Sequence, residues 1–306
     1  MSSIHPTVRL AKGITVTGLW HKRRYQVERL LGEGARGSTY LVKASNKRLA
    51  MKVSRDPTVI SAEANILKKL QQAQGVSLGP SLVDVDDGYM NREKHSFYVM
   101  EYVQGKPMTS LVSRMQVMDY GKLMSQLLAD LHVLHKRGYV FGDLKLDNMI
   151  FDSAWKRIRL VDVGGVTPIG RGIREYTSVY DRGYWRMGSR KADVAYDLFA
   201  LGVCFAKVDS SLTMQRQGDH RSLPRLIARS KRLKPFHSVI HKAVSGQYRD
   251  ALAMKRDIDR VVLPARQSTS VSSRFQSQSY VNVDKRDVMT LGSMVAINAW
   301  FVYWLM

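Results

Sequence analysis

Asp143, Lys145 and Asn148 stand in the frame D-x-K-x-x-N within YVFGDLKLDNMIFD, residues 139 to 152. These side-chain types are equipped for proton transfer, neutralisation of a transferring anion and ligation of a hard cation. They lie between two apolar runs, LHVLH before and MIF after. Polar groups in such surroundings require partners or a chemical use. A further aspartate, Asp162, follows in VDVGG.

The segments that must position these groups lie mostly upstream. YQVERLLGEGARGSTYLVKA alternates apolar and polar residues, breaks at glycines and resumes, as a strand, a Gly-rich turn and a second strand would. Gly32, Gly34 and Gly37 form G-x-G-x-x-G. The dinucleotide-binding version of this pattern requires a helix directly after it, whereas STYLV is strand-like. Strand–loop–strand is the form of a flap over phosphates, and an ordinary hairpin turn is the alternative. RLAMKVSRD is a third strand with Lys52 among apolar neighbours. SAEANILKKLQQ is amphipathic, with Ile66, Leu67 and Leu70 on one face and Glu63 one turn before Leu67. Glu63 is either the partner of Lys52 or an exposed helix charge. HSFYVMEYVQGKPM reads as a strand running into a Gly-marked connection.

Composition sets the outer limits. The 306 residues carry 48 Lys and Arg against 26 Asp and Glu, a net charge of +22, and 44% are hydrophobic. A full core is available, and the surface favours acidic partners: nucleic acid, phosphorylated ligands or anionic lipid. Cys204 in FALGVCFAKV is the single cysteine, which argues against a disulfide framework and for buried packing in a reducing compartment. Residues 1–24 lack the apolar stretch of a signal peptide and read as a basic N-terminal arm. Residues 25–260 form the globular region and 261–287 a flexible polar linker, its run 264–287 rich in Ser, Gln and Arg. Residues 288–306, VMTLGSMVAINAWFVYWLM, contain no charge. As a helix rising about 1.5 Å per residue they would reach roughly 28 Å, near the hydrocarbon thickness of a bilayer. Trp300, Tyr303 and Trp304 crowd the far end, where an interfacial belt belongs. This segment is expected to be a transmembrane anchor, a buried core helix being the alternative.

In chain order, GEGARG, AMK, GDLKLDN, VDVGG and YDLFALG resemble the Gly-rich loop, the strand lysine, the catalytic loop, the D-F-G segment and the helix after the activation segment of protein kinases. The resemblance covers residues 25–260 and is to the eukaryotic-like (Hanks-type) Ser/Thr kinases of bacteria, in particular the short tail-anchored kinases of endospore formers. It implies an α+β bilobal protein-kinase fold: an N-lobe antiparallel sheet with one helix, a helical C-lobe and, here, a C-terminal transmembrane helix. It assigns ATP to Gly32, Gly34, Gly37, Lys52, Glu63, Glu101, Val103 and Ile150, with Met100 behind the pocket. Asn148 and Asp162 would hold Mg²⁺, Asp143 would orient and deprotonate the attacking hydroxyl, and Lys145 would neutralise the transferred phosphoryl group. Thr177, in T-x-x-Y with Tyr180, would bridge Asp143 and Lys145, and Asp197 would be a buried anchor. Lysine two residues after the aspartate is the Ser/Thr pattern, so the implied reaction is ATP-dependent phosphorylation of protein hydroxyls, with autophosphorylation.

The departures from the family concern regulation. H-R-D reads Phe141-Gly142-Asp143, so an activation-loop phosphate has no arginine to meet; Thr167 is the expected phosphosite. Phe141 for His and Val163 for Phe exchange volume between two packed positions. A-P-E is absent, and YDRGYWRMG stands nearby. Arg221, Arg225, Arg229 and Arg232 recur at helical steps in DHRSLPRLIARSKRLKP and would form one basic stripe for non-specific DNA or anionic lipid. A solvated face is the bland alternative. The implied protein is a single-pass membrane kinase whose catalytic domain faces the cytoplasm. Its partners would be ATP and protein substrates, and a dimer is compatible with this reading. The competing functions are a catalytically weak kinase-fold protein docking DNA or membrane, and a small-molecule kinase.

Overall fold

The computed structural model describes residues 8–71, 78–212 and 222–263. Contacts divide the chain into Met1–Pro264 and Ala265–Met306, and the second unit lies outside the described residues. The expected anchor at 288–306 therefore also lies outside them. Among the described residues, no helix is long and apolar enough to cross a membrane.

The N-lobe is an antiparallel sheet of β1 (Thr15–Thr17), β2 (Arg24–Gly34), β3 (Gly37–Ala44), β4 (Lys47–Ser54), β5 (Leu82–Met90) and β6 (Glu93–Glu101), in the order β1-β2-β3-β4-β6-β5. One helix, α1 (Pro57–Gln71), covers it. Side-chain alternation divides the strands between two cores. Tyr25, Val27, Tyr40, Val42, Met51 and Val53 close on one another inside the sheet. Ala50, Tyr98 and Met100 face the other way, toward Ile60, Ala64 and Leu67 of α1. Lys52 shares the parity of Ala50, so the strand period turns it toward α1. Val8, Leu10 and Val16 are buried in the inner core, and β1 pairs with β2. The N-terminal arm expected at 1–24 is thus part of the lobe from Val8 onward, because its apolar residues complete that core. Asp84 and Asp86 pin this segment. The hydroxyl of Tyr25 donates to Asp84, and the amides of Trp20 and His21 donate to Asp86.

The C-lobe begins with β7 (Gly105–Pro107), α2 (Met108–Leu111) and the long α3 (Val117–Lys136). Two small sheets follow, built from β8 (Tyr139–Val140), β9 (Met149–Asp152), β10 (Arg157–Leu160) and β11 (Thr167–Pro168), paired as β10-β9-β7 and β11-β8. α4 (Val194–Ala206) is buried from Tyr196 to Ala206, and the Asp193 carboxylate caps it by accepting the Tyr196 amide. α5 (Ser222–Ala228), α6 (His237–Val244) and α7 (Ala251–Val262) complete the lobe.

The basic stripe departs from expectation. α5 ends at Ala228, so Arg229 and Arg232 do not continue its face. Arg232 turns inward and donates to the carbonyls of Ser113, Val208 and Met115. Burial of Leu223, Ile227, Leu233 and Phe236 draws the chain into separate short turns instead of one helix. Arg225 and Arg229 are exposed, and Arg221 lies outside the described residues.

Candidate active site

The β2–β3 hairpin roofs a cleft of about 740 Å³ between the lobes. The sequence-expected residues Gly32, Gly34, Gly37, Lys52, Glu101, Val103, Asp143, Lys145, Asn148, Ile150 and Asp162 all line it, and Glu63 and Thr177 hydrogen-bond to lining residues. Its three loop glycines have different reasons to be glycine. Gly37 has φ +136°, and a Cβ there would stand 2.2 Å from the Val53 carbonyl oxygen, so packing requires glycine. A Cβ on Gly32 or Gly34 would meet no protein atom within 4 Å. Their bareness leaves the loop backbone open to whatever lies beneath, which fits a phosphate chain.

Lys52 donates to Glu63 Oε2 at 2.7 Å and lies 3.5 Å from Asp162 Oδ1. Both Lys52 and Glu63 are buried. Burial works against the Lys52 ammonium, but Asp162 and Glu63 outweigh it and hold its pKa above the ordinary value. The Tyr98 hydroxyl also donates to Glu63 Oε2, at 2.9 Å. Burial likewise opposes ionisation of Asp162, yet Lys52, the Gly164 amide and Lys145 keep its carboxyl below the usual range.

On the cleft floor Lys145 donates to Asp143 Oδ2 at 2.6 Å and to Thr177 Oγ1 at 3.2 Å. Thr177 Oγ1 donates to Asp143 Oδ1 at 3.3 Å. Asn148 donates through Nδ2 to the Asp143 carbonyl at 3.0 Å, which leaves its amide oxygen as the atom for a cation. Beneath them Asp197 accepts the amides of Phe141 (2.7 Å) and Gly142 (2.9 Å) and pairs with His135 Nε2 at 2.8 Å. A fully buried carboxylate on α4 therefore fixes the backbone that presents Asp143.

Several members of the site carry no local sequence signal. Arg159 on β10 grips the Glu101 carboxylate and the Gly79 carbonyl, tying the inter-lobe connection to the C-lobe. Hydrogen bonding from Arg159 lowers the Glu101 carboxyl, against the opposing effect of burial. Glu101 and Arg159 are 58 residues apart, and nothing in either neighbourhood marks the pair. Tyr98 was legible only as an apolar strand residue, and His135 only as part of LHVLH.

Two expectations about the activation segment change. Thr167 is completely buried in β11, and its hydroxyl donates to the Gly165 carbonyl at 2.8 Å. It is not presented to a kinase, because the β11–β8 pairing turns it inward. Gly142 is also more than a missing arginine. It has φ +79°, and a Cβ there would lie 2.4 Å from the Gly165 carbonyl oxygen. Phe141 and Val163 are both buried in the same core cluster. In place of A-P-E, Arg182 forms a two-pronged pair with Asp193 (2.9 and 2.7 Å) and donates to the Ser189 carbonyl.

The protein kinase domain family matches residues 25–253. The chain belongs to the protein kinase family. It is 42% identical over 255 residues to the serine/threonine-protein kinase YabT of Bacillus subtilis (strain 168), which covers 81% of this chain and 75% of that protein. It is 23% identical over 194 residues to the serine/threonine-protein kinase max-2 of Caenorhabditis elegans, covering 59% of this chain and 28% of that one. The structure of the Cydia pomonella granulovirus kinase PK-1 shares its fold, with a TM-score of 0.57 at 19% identity over 78% of this chain and 94% of the viral one. The kinase is thus an ATP-dependent serine/threonine protein kinase of the bacterial eukaryotic-like class.

Proposed function

We propose that this kinase transfers the terminal phosphoryl group of ATP to Ser and Thr hydroxyls of protein substrates, itself included, through Asp143, Lys145, Thr177, Lys52 and Asp162. The observation that carries this reading is the convergence of two charged groups on one cleft: the Lys52–Glu63–Asp162 cluster and the Asp143–Lys145–Thr177 triangle. Lys52, aligned by Glu63, holds the nucleotide phosphates. Asp143 takes the hydroxyl proton and aims the oxygen, while Thr177 and Lys145 fix its two carboxylate oxygens. Lys145 also offsets charge on the phosphoryl group in flight. The oxygens of Asn148 and Asp162 are hard donors that suit Mg²⁺, which would neutralise the phosphates. Glu101, Val103 and Ile150 line the part of the cleft expected to take adenine.

We further infer that residues 288–306 tether the kinase to the cell membrane with its catalytic domain in the cytoplasm, where ATP is. Lys285 and Arg286, just before the apolar run, agree with the positive-inside bias. Exposed Arg225 and Arg229 are assigned a contact with DNA or anionic lipid that modulates activity.

The deciding experiment incubates the kinase with labelled ATP and Mg²⁺ and follows initial autophosphorylation. Asp143→Ala should lower the rate by at least about 10²-fold, the scale of a positioned proton acceptor. Near wild-type transfer in that variant would overturn the assignment.

A further inference from the structure

The hairpin that roofs the cleft carries a cation at its tip. Arg36 sits in the turn between β2 and β3, where its Nη1 donates to the Gly164 carbonyl at 3.1 Å and its Nε pairs with Glu175 Oε1. The turn therefore reaches across the cleft to the D-V-G segment and to a residue two places before Thr177. Both side chains line the cleft and are about 30% exposed.

The surroundings of Glu175 make the pairing informative. A Cβ on Gly164 would lie 2.9 Å from Glu63 Oε1, 3.2 Å from Glu175 Oε1 and 3.3 Å from Asp162 Oδ1. Three carboxylates, one from α1 and two from the chain after β10, thus crowd one point of the backbone. Lys52 serves Glu63 and Asp162, and Arg36 serves Glu175. Burial is the main influence raising the Glu175 carboxyl; Arg36 opposes it, and the charges of Asp162, Asp143 and Glu63 raise it further. Glu175 is a carboxylate in a poor place for one, kept company by a guanidinium on a hairpin turn.

We propose that Arg36 is a phosphate-binding residue of this kinase, held by Glu175 and Gly164 until ATP arrives, so that the Glu175 carboxylate competes with the nucleotide phosphates for one guanidinium. The inference rests on the reading of the cleft as the ATP site. A guanidinium makes forked hydrogen bonds to phosphate as readily as to carboxylate. Arg36 follows Gly32 and Gly34 on the same hairpin, and their open backbone lines the same cleft, so an anion beneath the loop would meet both the bare backbone and the long Arg36 side chain. The ATP phosphates offer Arg36 several anionic oxygens, against a single carboxylate among like charges. Linkage then fixes the sign: whatever holds Arg36 elsewhere weakens ATP binding by its own differential hold, and removing the competitor tightens it.

The test is a double-mutant cycle on ATP binding to the full chain, read as the equilibrium Kd of a fluorescent ATP analogue with Mg²⁺, with adenosine as the phosphate-free control. Arg36→Gln should weaken ATP binding about tenfold, equivalent to about 1.4 kcal/mol. Glu175→Gln should tighten it about threefold or more. In the Arg36→Gln background, Glu175→Gln should have no effect, and adenosine should bind all four proteins alike. Arg36→Ala repeats the cycle with a truncated side chain at a turn that holds no core residue. The proposal is overturned if Glu175→Gln leaves ATP affinity unchanged, or tightens it equally without Arg36. Wild-type protein that failed to bind ATP would instead overturn the reading of the cleft, and four equal ATP constants would sink the Arg36 exchange alone.

Discussion

The inter-lobe cleft and the stretch from Asp181 to Asp193 are both dense in charge, but they find partners differently. In the cleft, partners come from distant elements: Lys52 of β4 meets Glu63 of α1 and Asp162 beyond β10, and Glu101 of β6 meets Arg159. In the segment, partners are near neighbours: Arg182 takes Asp193, and Arg190 takes Asp181, which also accepts the Gly183 and Tyr184 amides. The cleft therefore draws its partners from both lobes, whereas the stretch from Asp181 to Asp193 pairs within itself.

Lys52→Ala is expected to damage the cleft most. It removes the proposed phosphate clamp and strands Glu63 beside Tyr98. Phosphoryl transfer should fall by about 10²–10³-fold, as when one electrostatic stabiliser of a transition state is lost. Single-turnover kinetics at saturating ATP checks this. A loss confined to ATP affinity would show that Lys52 only binds.

Gly142→Ala addresses the junction of the two regions. A methyl group would meet the Gly165 carbonyl oxygen at 2.4 Å on a backbone with φ +79°, so the strain should cost about 1–3 kcal/mol. Because Asp197 holds the Gly142 amide, the strain is felt one residue from Asp143. A lower melting temperature together with a lower rate is expected. Gly142→Arg, which restores the family residue, should be no better, since its Cβ would meet the same Gly165 carbonyl oxygen. Unchanged stability in Gly142→Ala would remove the steric account.

Arg182→Ala tests the self-bracing of the segment. Arg182 is buried and Asp193 is 42% exposed, so the pair is only partly shielded and about 1–2 kcal/mol is a fair scale. The Ser189 and Lys191 carbonyls also lose a donor. Protein-substrate phosphorylation should fall while the Kd for ATP stays constant, because the cleft draws on other partners. A matching loss of ATP affinity would mean that the two regions are coupled after all.

Much of the cleft was legible because its chemistry demands particular residues at fixed short spacings, as in Asp143, Lys145 and Asn148. Lys52 stood out as a charge among apolar strand neighbours, which demanded a partner. What could not be read were pairings set by the tertiary fold: Arg159 with Glu101, His135 with Asp197, Arg36 with Glu175. Their sequence separations follow no period; Asp197 was expected as a buried anchor and Glu101 at the ATP site, but nothing pointed to their partners. Thr167 misled for a related reason. A pairing of only two residues buries it, and no pattern of that length is distinguishable from a loop. The arm from Val8 misled because its charges outnumber the three apolar residues that dock it.

The basic residues after the catalytic motifs carry the smallest expected effect and divide in the same manner. Four arginines on one face would give a slope of log K against log salt near −3.6 for duplex DNA, at roughly −0.9 per phosphate neutralised. Arg232 is committed to the Ser113, Val208 and Met115 carbonyls, so it adds no phosphate contact and the slope should not be steeper than about −2.7 from this patch. Arg225→Glu with Arg229→Glu should flatten it by about 1.8 and weaken binding to every DNA sequence alike. Arg232→Glu should do something else: lower the melting temperature by unbinding three carbonyls, with binding by the folded fraction nearly unchanged. Fluorescence anisotropy across a salt titration, repeated with anionic vesicles, separates the two effects. Preference for vesicles would point the patch at lipid, and preference for duplex at nucleic acid. If the Arg225 and Arg229 reversals left both slopes as in the wild type, these residues would be a solvated face, and the +22 charge would act through some other surface of the chain.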